Sequence, residues 1–235
     1  MDSTSPPEAP RERRGGPLDP IQRRVLGVLI EKAKTTPAAY PMSVNAIVAG
    51  CNQKNNREPI TAYDDFDVEK ALSEMQTLGV VKEIDWVGRV PKYKHLAYEW
   101  LGVNPVELAV LGELLLRGPQ TVGDLRGRAS RMESIADLSA LKPIVDGLVE
   151  RGLMVELTPP GRGQLVTHAL YPPHEMGELR AREGRPGRAE PDPGPAAHPM
   201  ASRHDLATEV ADLRAQLAEL SERVERLERT GEAPV

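Results

Sequence analysis

The chain has 235 residues, 40% of them hydrophobic, which is enough for two small packed domains. Its net charge of -5 excludes a globally basic surface, so any contact with nucleic acid must come from local patches. The single cysteine excludes an internal disulfide and is typical of a reducing cytoplasm. No run approaches the roughly 18 apolar residues of a membrane helix, and no apolar signal segment begins the chain. We therefore expect a cytoplasmic protein that makes no membrane contact.

One block of sequence occurs twice. The segment Leu18-Asp19-Pro20 reappears 85 positions later as Val103-Asn104-Pro105, and an apolar run follows each copy. Near the end of each block, Gly88-Arg89 reappears 73 positions later as Gly161-Arg162. A segment that is repeated in this way predicts a tandem of small modules rather than one enzyme core.

Each block is predicted to begin with a helix. An N-cap residue, a first-turn proline and a capping-box partner are present in both copies: Asp19, Pro20, Gln22, Asn104, Pro105 and Glu107. Second helices are predicted at 43–51 and 121–128, and third helices at 67–78 and 139–151. Pro143 lies deeper than a first-turn proline prefers, which indicates that the last of these helices begins late.

A strand, a turn and a strand follow each third helix. The predicted strands are 80–87 and 90–96 in the first block, and 153–158 and 164–171 in the second. Three helices followed by a β-hairpin is the winged-helix arrangement. The expected fold class is therefore mainly α with small β-hairpins (α+β), in tandem winged-helix domains. Because each module is small, we expect the pair to pack as one unit.

The two predicted winged-helix domains, 18–101 and 102–171, have flanking segments of other kinds. Residues 1–17 are predicted to be a disordered leader. Residues 172–201 are rich in proline and glycine and are predicted to be a linker without a core. The remaining segment, 202–230, is predicted to be a coiled-coil helix.

The coiled-coil prediction rests on a heptad pattern. Apolar residues alternate at spacings of four and three: Leu206, Val210, Leu213, Leu217, Leu220, Val224 and Leu227. Two β-branched valines at the a positions, with leucine at d, favour a parallel dimer. The alternative is a solitary amphipathic helix docked on the modules. About three heptads are near the lower limit for a coiled coil, so the expected homodimer is weak.

Several short motifs of residues 18–171 occur in an order typical of one protein family. They are Leu29-Ile30-Glu31-Lys32, Thr35-Thr36-Pro37, Tyr40-Pro41, Asn45-Ala46, Cys51-Asn52-Gln53-Lys54, Asn56-Arg57 with Pro59, Arg89-Val90-Pro91-Lys92-Tyr93, and Leu115-Leu116-Arg117-Gly118-Pro119-Gln120-Thr121. In these motifs the chain resembles the YceH family of uncharacterised bacterial proteins. The resemblance implies tandem winged-helix domains, but it does not imply any particular activity.

A polar loop between the second and third helices is the first candidate DNA contact. Asn52, Gln53 and Asn56 can donate and accept hydrogen bonds, while Lys54 and Arg57 suit phosphate. In a winged-helix module this region ordinarily approaches DNA. The alternative is an asparagine-rich loop that satisfies its own backbone through Asx turns.

The tip of the first hairpin is the second candidate, since Arg89, Lys92, Tyr93 and Lys94 make a compact basic wing. Lys92 and Lys94 share one strand face, and such wings contact the DNA backbone or minor groove. The alternative is protection of an exposed strand edge by lysines. The second module offers a weaker set of scattered arginines: Arg126, Arg128, Arg131 and Arg162.

The sequences of the third helices are poorly suited to recognising specific DNA bases. The first begins with Asp64-Asp65-Phe66-Asp67, whose carboxylates complement the helix dipole but would repel phosphates. The second exposes mainly Lys142, Asp146 and Glu150, without side chains suited to base edges. Any DNA contact is therefore expected at the wings and the loop.

Catalytic and metal-binding signals are few. The five histidines have no zinc-ligand spacing, and no glycine-rich loop is suited to phosphate. Cys51 flanks an apolar helix and is interpreted as a packed small hydrophobe. We expect a protein that is not an enzyme and uses no cofactor or metal.

Two functional hypotheses follow. The first is a homodimeric DNA-binding protein, either a transcriptional regulator or a nucleoid-associated factor, that uses its basic wings and the 52–57 loop. The alternative is a non-catalytic scaffold whose winged helices bind a partner protein. The acidic third helices and the heptad both favour that alternative.

Overall fold

The computed structural model of the protein describes residues 15–84 and 90–183. They form a mostly helical α+β structure with two small antiparallel sheets, which confirms the predicted class at that level. They lie within one compact unit, Met1–Arg185, and the second unit, Pro186–Val235, is outside the described residues. The leader up to residue 14, the end of the predicted linker and the heptad segment are outside them too.

Three helices of the first block, residues 18–101, begin at side-chain caps. Their bounds are Pro20–Thr35 (α1), Val44–Cys51 (α2) and Asp65–Thr77 (α3). The Gln22 amide donates to Asp19 Oδ1 over 2.8 Å, and Gln22 Oε1 accepts from the Asp19 amide over 3.1 Å, which confirms the predicted capping box. Helix α3 begins earlier than predicted because Asp64 is its N-cap and Asp67 is the capping-box partner.

The second block, residues 102–171, repeats this order after a short connecting helix. The bounds are Ala97–Leu101 (α4), Pro105–Arg117 (α5), Val122–Ala129 (α6) and Leu138–Glu150 (α7). The prediction that α7 begins late is wrong, since Asp137 caps it and accepts from the Ala140 amide over 2.9 Å. Pro143 lies on the exposed side, while the opposite face buries three apolar residues, Leu141, Val145 and Leu148. Burial of that face outweighs one missing helix hydrogen bond.

Both blocks end in a hairpin to which a third β element is added. The strands are Val81–Ile84 (β1), Lys92–His95 (β2), Gln120–Thr121 (β3), Met154–Glu156 (β4) and Leu165–His168 (β5). The second sheet has the order β3-β5-β4, with Gln120 opposite Val166. In the first block Met42 makes the corresponding bridge to Tyr93. Strands β2, β4 and β5 are shorter than predicted, and the sequence did not reveal β3 or the Met42 bridge.

A helix follows the second block where the sequence predicts only a linker. It spans Pro173–Glu183 (α8), so the prediction of a coreless linker is wrong for these residues. Leu179 is buried, and Glu175 accepts from Arg23 Nη2 over 2.6 Å. One buried apolar side chain, and one ion pair with α1, therefore hold a segment whose composition is typical of a linker.

The first helices of the two blocks, α1 and α5, make the most extensive contact between elements in the described part of the chain. Their backbones approach closely at two glycines that occupy the same position of the repeat. A Cβ atom on Gly27 would lie 2.9 Å from Leu116 Cγ, and one on Gly112 would lie 2.8 Å from Ile30 Cγ2. Both distances are shorter than real Cβ contacts, so a side chain at either position would force Leu116 or Ile30 to move.

The two blocks also end in the same His-x-x-Tyr turn. His95 Nδ1 accepts from the Ala97 amide over 3.3 Å, and His168 Nδ1 accepts from the Leu170 amide over 3.2 Å. Burial lowers the pKa of His95 to about 4 and the pKa of His168 well below its usual range. The neutral imidazole is therefore the form that the fold accommodates.

Because these two histidines are buried in their neutral form, we predict that the protein loses stability in mild acid. Because the unfolded chain binds protons below about pH 6.5, the free energy of unfolding should fall as the pH drops from about 6.5 towards 4. The variants His95→Asn and His168→Asn should each show a shallower fall in urea titrations across this range. Exposed His174 provides the control, and His174→Asn should keep the full slope. An equal slope in all four proteins would contradict the prediction.

Candidate nucleic-acid interface

The outer face of the first hairpin carries lysines from both strands. Lys82 of β1 lies directly opposite Lys94 of β2, and Ile84 lies opposite Lys92. The other face turns inwards, since it carries buried Val81. Directly opposite residues of an antiparallel pair share one face, so Lys82, Lys92 and Lys94 point to the same side.

Within this face, henceforth the lysine face, the three lysines differ in their surroundings. Lys82 is exposed, whereas Lys92 and Lys94 are half-buried, and Lys92 has an interaction partner. Like charges placed directly opposite each other destabilise a sheet, and an anion bound between them would relieve that repulsion. The register thus adds Lys82, which the sequence analysis missed because a single strand does not show which residue lies opposite.

Two other members of the predicted wing have a different status. Tyr93 lies on the inner face, pairs through its backbone with Met42, and is half-buried. Burial raises the pKa of Tyr93, and the neighbouring Glu83 carboxylate adds to the effect. Arg89, at the predicted tip, lies outside the described residues.

The 52–57 loop is held mostly by internal hydrogen bonds. Asn52 Nδ2 donates to the Tyr63 carbonyl over 2.7 Å, and Asn52 Oδ1 accepts from the Tyr63 amide over 2.9 Å. Asn56, at a positive φ of 60°, accepts from Arg117 Nη2 over 2.6 Å. Asn52 and Asn56 therefore form hydrogen bonds that hold the loop to its neighbours, while Gln53 and Lys54 are exposed.

Arg57, a predicted phosphate contact, lies inside the protein. Its side chain is 0% exposed and pairs with Glu31 of α1 over 2.5 Å. Its Nε donates to the Gly50 carbonyl over 2.9 Å, and its Nη2 donates to Gln53 Oε1 over 2.8 Å. Its charge is therefore used to anchor the loop to α1 and α2 and not to meet an external phosphate.

Buried carboxylates of α1 and α5 meet a group of arginines between the blocks, henceforth the seam. Arg131 contacts both carboxylates, Glu31 over 3.5 Å and Glu113 over 3.1 Å, while Arg117 Nε lies 3.1 Å from Glu113. Burial raises the pKa of Glu113, and the facing arginines oppose the shift. Burial likewise lowers the pKa of Arg117. The loop and the seam are thus one connected polar structure.

Other candidate arginines of the second block serve the fold. Arg126 donates to the Ala136 carbonyl over 2.9 Å, and Arg128 donates to Gln120 Oε1 over 2.8 Å. Arg162 is exposed in the turn between β4 and β5 and has an interaction partner. Within the described ranges, the second hairpin has no counterpart of the lysine face, since the residues opposite each other at the equivalent positions are Val155 and Thr167.

The surface of α3 is acidic and apolar. Asp65, Glu69 and Glu74 are exposed together with one cation, Lys70, and Phe66 is 73% exposed at the start of the helix. Ile60, just before the helix, is 65% exposed. This surface is poorly suited to the negatively charged groove of a DNA duplex.

Chemical reactivity has little support in the described residues. Cys51 is fully buried, and burial raises the pKa of its thiol to about 12, so the thiol is protonated at neutral pH. Within residues 15–84 and 90–183, no three His, Cys, Asp or Glu side chains are grouped so as to hold a metal ion. Among the helices described there, none has the length and apolar character needed to cross a membrane.

The fold and the site define a two-block α+β protein with a basic hairpin and a buried charged seam. Its sequence matches the family described as "Protein of unknown function, DUF480" over residues 18–162, more than half of the chain. The chain therefore belongs to this family, in agreement with the family resemblance seen in its motifs.

Curated relatives carry the same family designation, UPF0502. A UPF0502 protein of Rhodopirellula baltica is 54% identical over 159 residues, which cover 68% of this chain and 67% of the relative. One from Geobacter sulfurreducens is 46% identical over 134 residues, or 57% of this chain and 61% of the relative. One from Geotalea uraniireducens is 42% identical over 175 residues, or 74% of each protein. The aligned parts thus leave a quarter or more of each relative uncovered, and none of these names states an activity.

Proposed function

We propose that both blocks are winged-helix modules and that the protein binds duplex DNA through the lysine face of the first. Each block has the order helix, β element, helix, helix, strand, strand. In this interpretation Met42 and β3 are the short first strands, and the two hairpins are the wings. The second and third helices then correspond to the helix-turn-helix.

The single observation that carries the DNA proposal is the cross-strand pair of Lys82 and Lys94. Protection of a strand edge requires no such pair, because separate lysines are sufficient. A directly opposed pair costs stability, and a phosphate group bound over it would offset the cost. Since the exposed side of α3 is acidic, the contact is with the DNA backbone and not with base edges.

This mode of binding suits a cytoplasmic transcriptional regulator or nucleoid-associated factor with little sequence preference. The exposed Lys54 of the loop is a further candidate contact, whereas buried Arg57 is excluded from direct contact in the described fold. Asn52 and Asn56 are assigned to holding the loop.

Salt-dependent binding tests the proposal. Fluorescence anisotropy should show affinity for duplex DNA that falls steeply with salt. Replacing Lys82 and Lys94 together by alanine should weaken binding and lower the slope of log K against log salt by about 2. Lys142→Ala is the matched control, since Lys142 is an exposed lysine of α7 paired with Asp146. Equal affinities of the two variants, or no binding at low salt, would contradict the proposal.

The second candidate function is a scaffold that binds a partner protein. It is favoured by exposed Phe66 and Ile60 beside the carboxylates at the start of α3. Such an apolar patch with an acidic rim suits a protein surface better than a duplex. A stoichiometric partner that is retained from the native host after nuclease treatment, and lost with Phe66→Ala, would favour this function.

The heptad of residues 206–227 is the basis for a proposed parallel homodimer. These residues lie outside the described part of the chain, so the proposal depends on the sequence pattern alone. Sedimentation equilibrium should give a mass that rises with concentration towards twice the chain mass. A version that ends at residue 195 should stay monomeric. Equal monomeric masses for both proteins would contradict the dimer.

A further inference from the structure

We infer that the seam between the two blocks holds a phosphate-binding site, in the cleft lined by Lys32, Lys54 and Arg131. The cleft has a volume of about 380 Å³. It is formed by α1, the 52–57 loop and the segment after α6, so both blocks contribute to it. The proposed site does not include the lysine face; it consists of residues of the seam together with Lys32 and Lys54.

Positive charge is in excess beneath this cleft. Glu31 lies within 4 Å of three cations, at 2.5 Å from Arg57, 3.5 Å from Arg131 and 3.8 Å from Lys32. Glu113 is in contact with Arg117 and, again, Arg131. Two carboxylates are therefore shared among four cations, of which Lys32 and Arg131 line the cleft itself.

Burial makes this imbalance costly. The side chains of Glu113 and Arg57 are 0% exposed, so their charges interact through a medium of low dielectric constant. Burial lowers the pKa of Arg117, the Glu113 carboxylate opposes this shift, and the neighbouring arginines add to it. Lys54 at the rim adds a further positive charge. An anion in the cleft would compensate charge that the two carboxylates leave unbalanced.

The donors that line the cleft favour phosphate. Gln53 Oε1 accepts from Arg57, so its Nε2 group is the end that can donate to a ligand. Asn56 Oδ1 accepts from Arg117, so the same holds for its Nδ2 group. The cleft therefore offers donors from two lysines, an arginine and two amides. This number of hydrogen-bond donors exceeds what one carboxylate can accept, and it suits the several oxygens of a phosphate.

The carboxylate that lines the cleft does not oppose this binding. Glu31 is only 4% exposed at its side chain, and Arg57 and Arg131 occupy its oxygens. It therefore orients the arginines and does not meet the ligand. Thr35 is similarly occupied, since its hydroxyl donates to the Glu31 carbonyl over 2.8 Å.

The phosphate could belong to a DNA backbone or to a small molecule, and one titration series separates the two sources. The probes are inorganic phosphate, a nucleoside monophosphate and a short duplex, each added to the ¹⁵N-labelled full chain. Backbone amides of residues 32, 53–56 and 131 should shift in a saturable way. Shifts with phosphate or the nucleotide indicate a small-molecule ligand, and shifts with the duplex alone indicate a DNA backbone contact.

Two paired variants connect the shifts to the site and separate it from the wing. Lys32→Ala with Lys54→Ala should weaken binding at these amides by about tenfold or more, because two charged hydrogen bonds are lost. Lys82→Ala with Lys94→Ala should leave binding of phosphate or nucleotide unchanged. Arg131 is kept intact because it contacts both buried carboxylates.

The wild-type titration alone is able to overturn the inference. If none of the three probes shifts these amides, the seam has no phosphate site, while DNA binding at the lysine face is judged separately by its own variants. Shifts that saturate at the same ligand concentration in the Lys32 and Lys54 double variant as in the wild type would also contradict it.

Discussion

The close crossing of α1 and α5 is the contact on which the rest of the structure depends. Gly27 and Gly112 occupy the same position in the two copies, and each lets its helix approach a branched side chain of the other. The crossing brings Glu31 and Glu113 within reach of the same arginine, Arg131. Apolar burial along the crossing supplies stability that is independent of exact charge pairing. The buried ions then specify how the loop and the second block meet, since breaking such a pair leaves an uncompensated charge.

The charged residues of the protein fall into two groups, those that hold the fold together and those that are presented at the surface. Arg57 and Arg117 come from different blocks but have the same structural role, because both connect the 52–57 loop to the seam. Lys82 and Lys94 instead lie directly opposite each other on the lysine face. A protein with net charge -5 thus presents positive charge at a hairpin and a cleft, which are the two places where we propose that anions bind.

Local signals in the sequence predicted most of the elements, and long-range contacts explain most of the failures. The caps at Asp19 and Asn104 depend on neighbours three residues away, so the pattern alone was sufficient to place α1 and α5. The burial of Arg57 depends on Glu31, 26 residues earlier, which no local pattern reveals. Helix α8 was missed for the same reason, because its ion pair joins residues that are 152 positions apart. One signal was available and unused: His95 and Tyr98 recur 73 positions later as His168 and Tyr171, which marks the equivalent turns of the two blocks.

The most direct test of the central claim is the free energy of unfolding of glycine-to-alanine variants, measured by urea denaturation. Alanine favours a helix over glycine by about 1 kcal/mol wherever space allows. Gly147 of α7, with no atom within 4 Å of a Cβ, provides that reference. Relative to Gly147→Ala, we expect Gly27→Ala and Gly112→Ala to be less stable by about 1–3 kcal/mol, because each new methyl overpacks the crossing. Stabilities equal to that of Gly147→Ala would contradict the claim that this crossing holds the two blocks together.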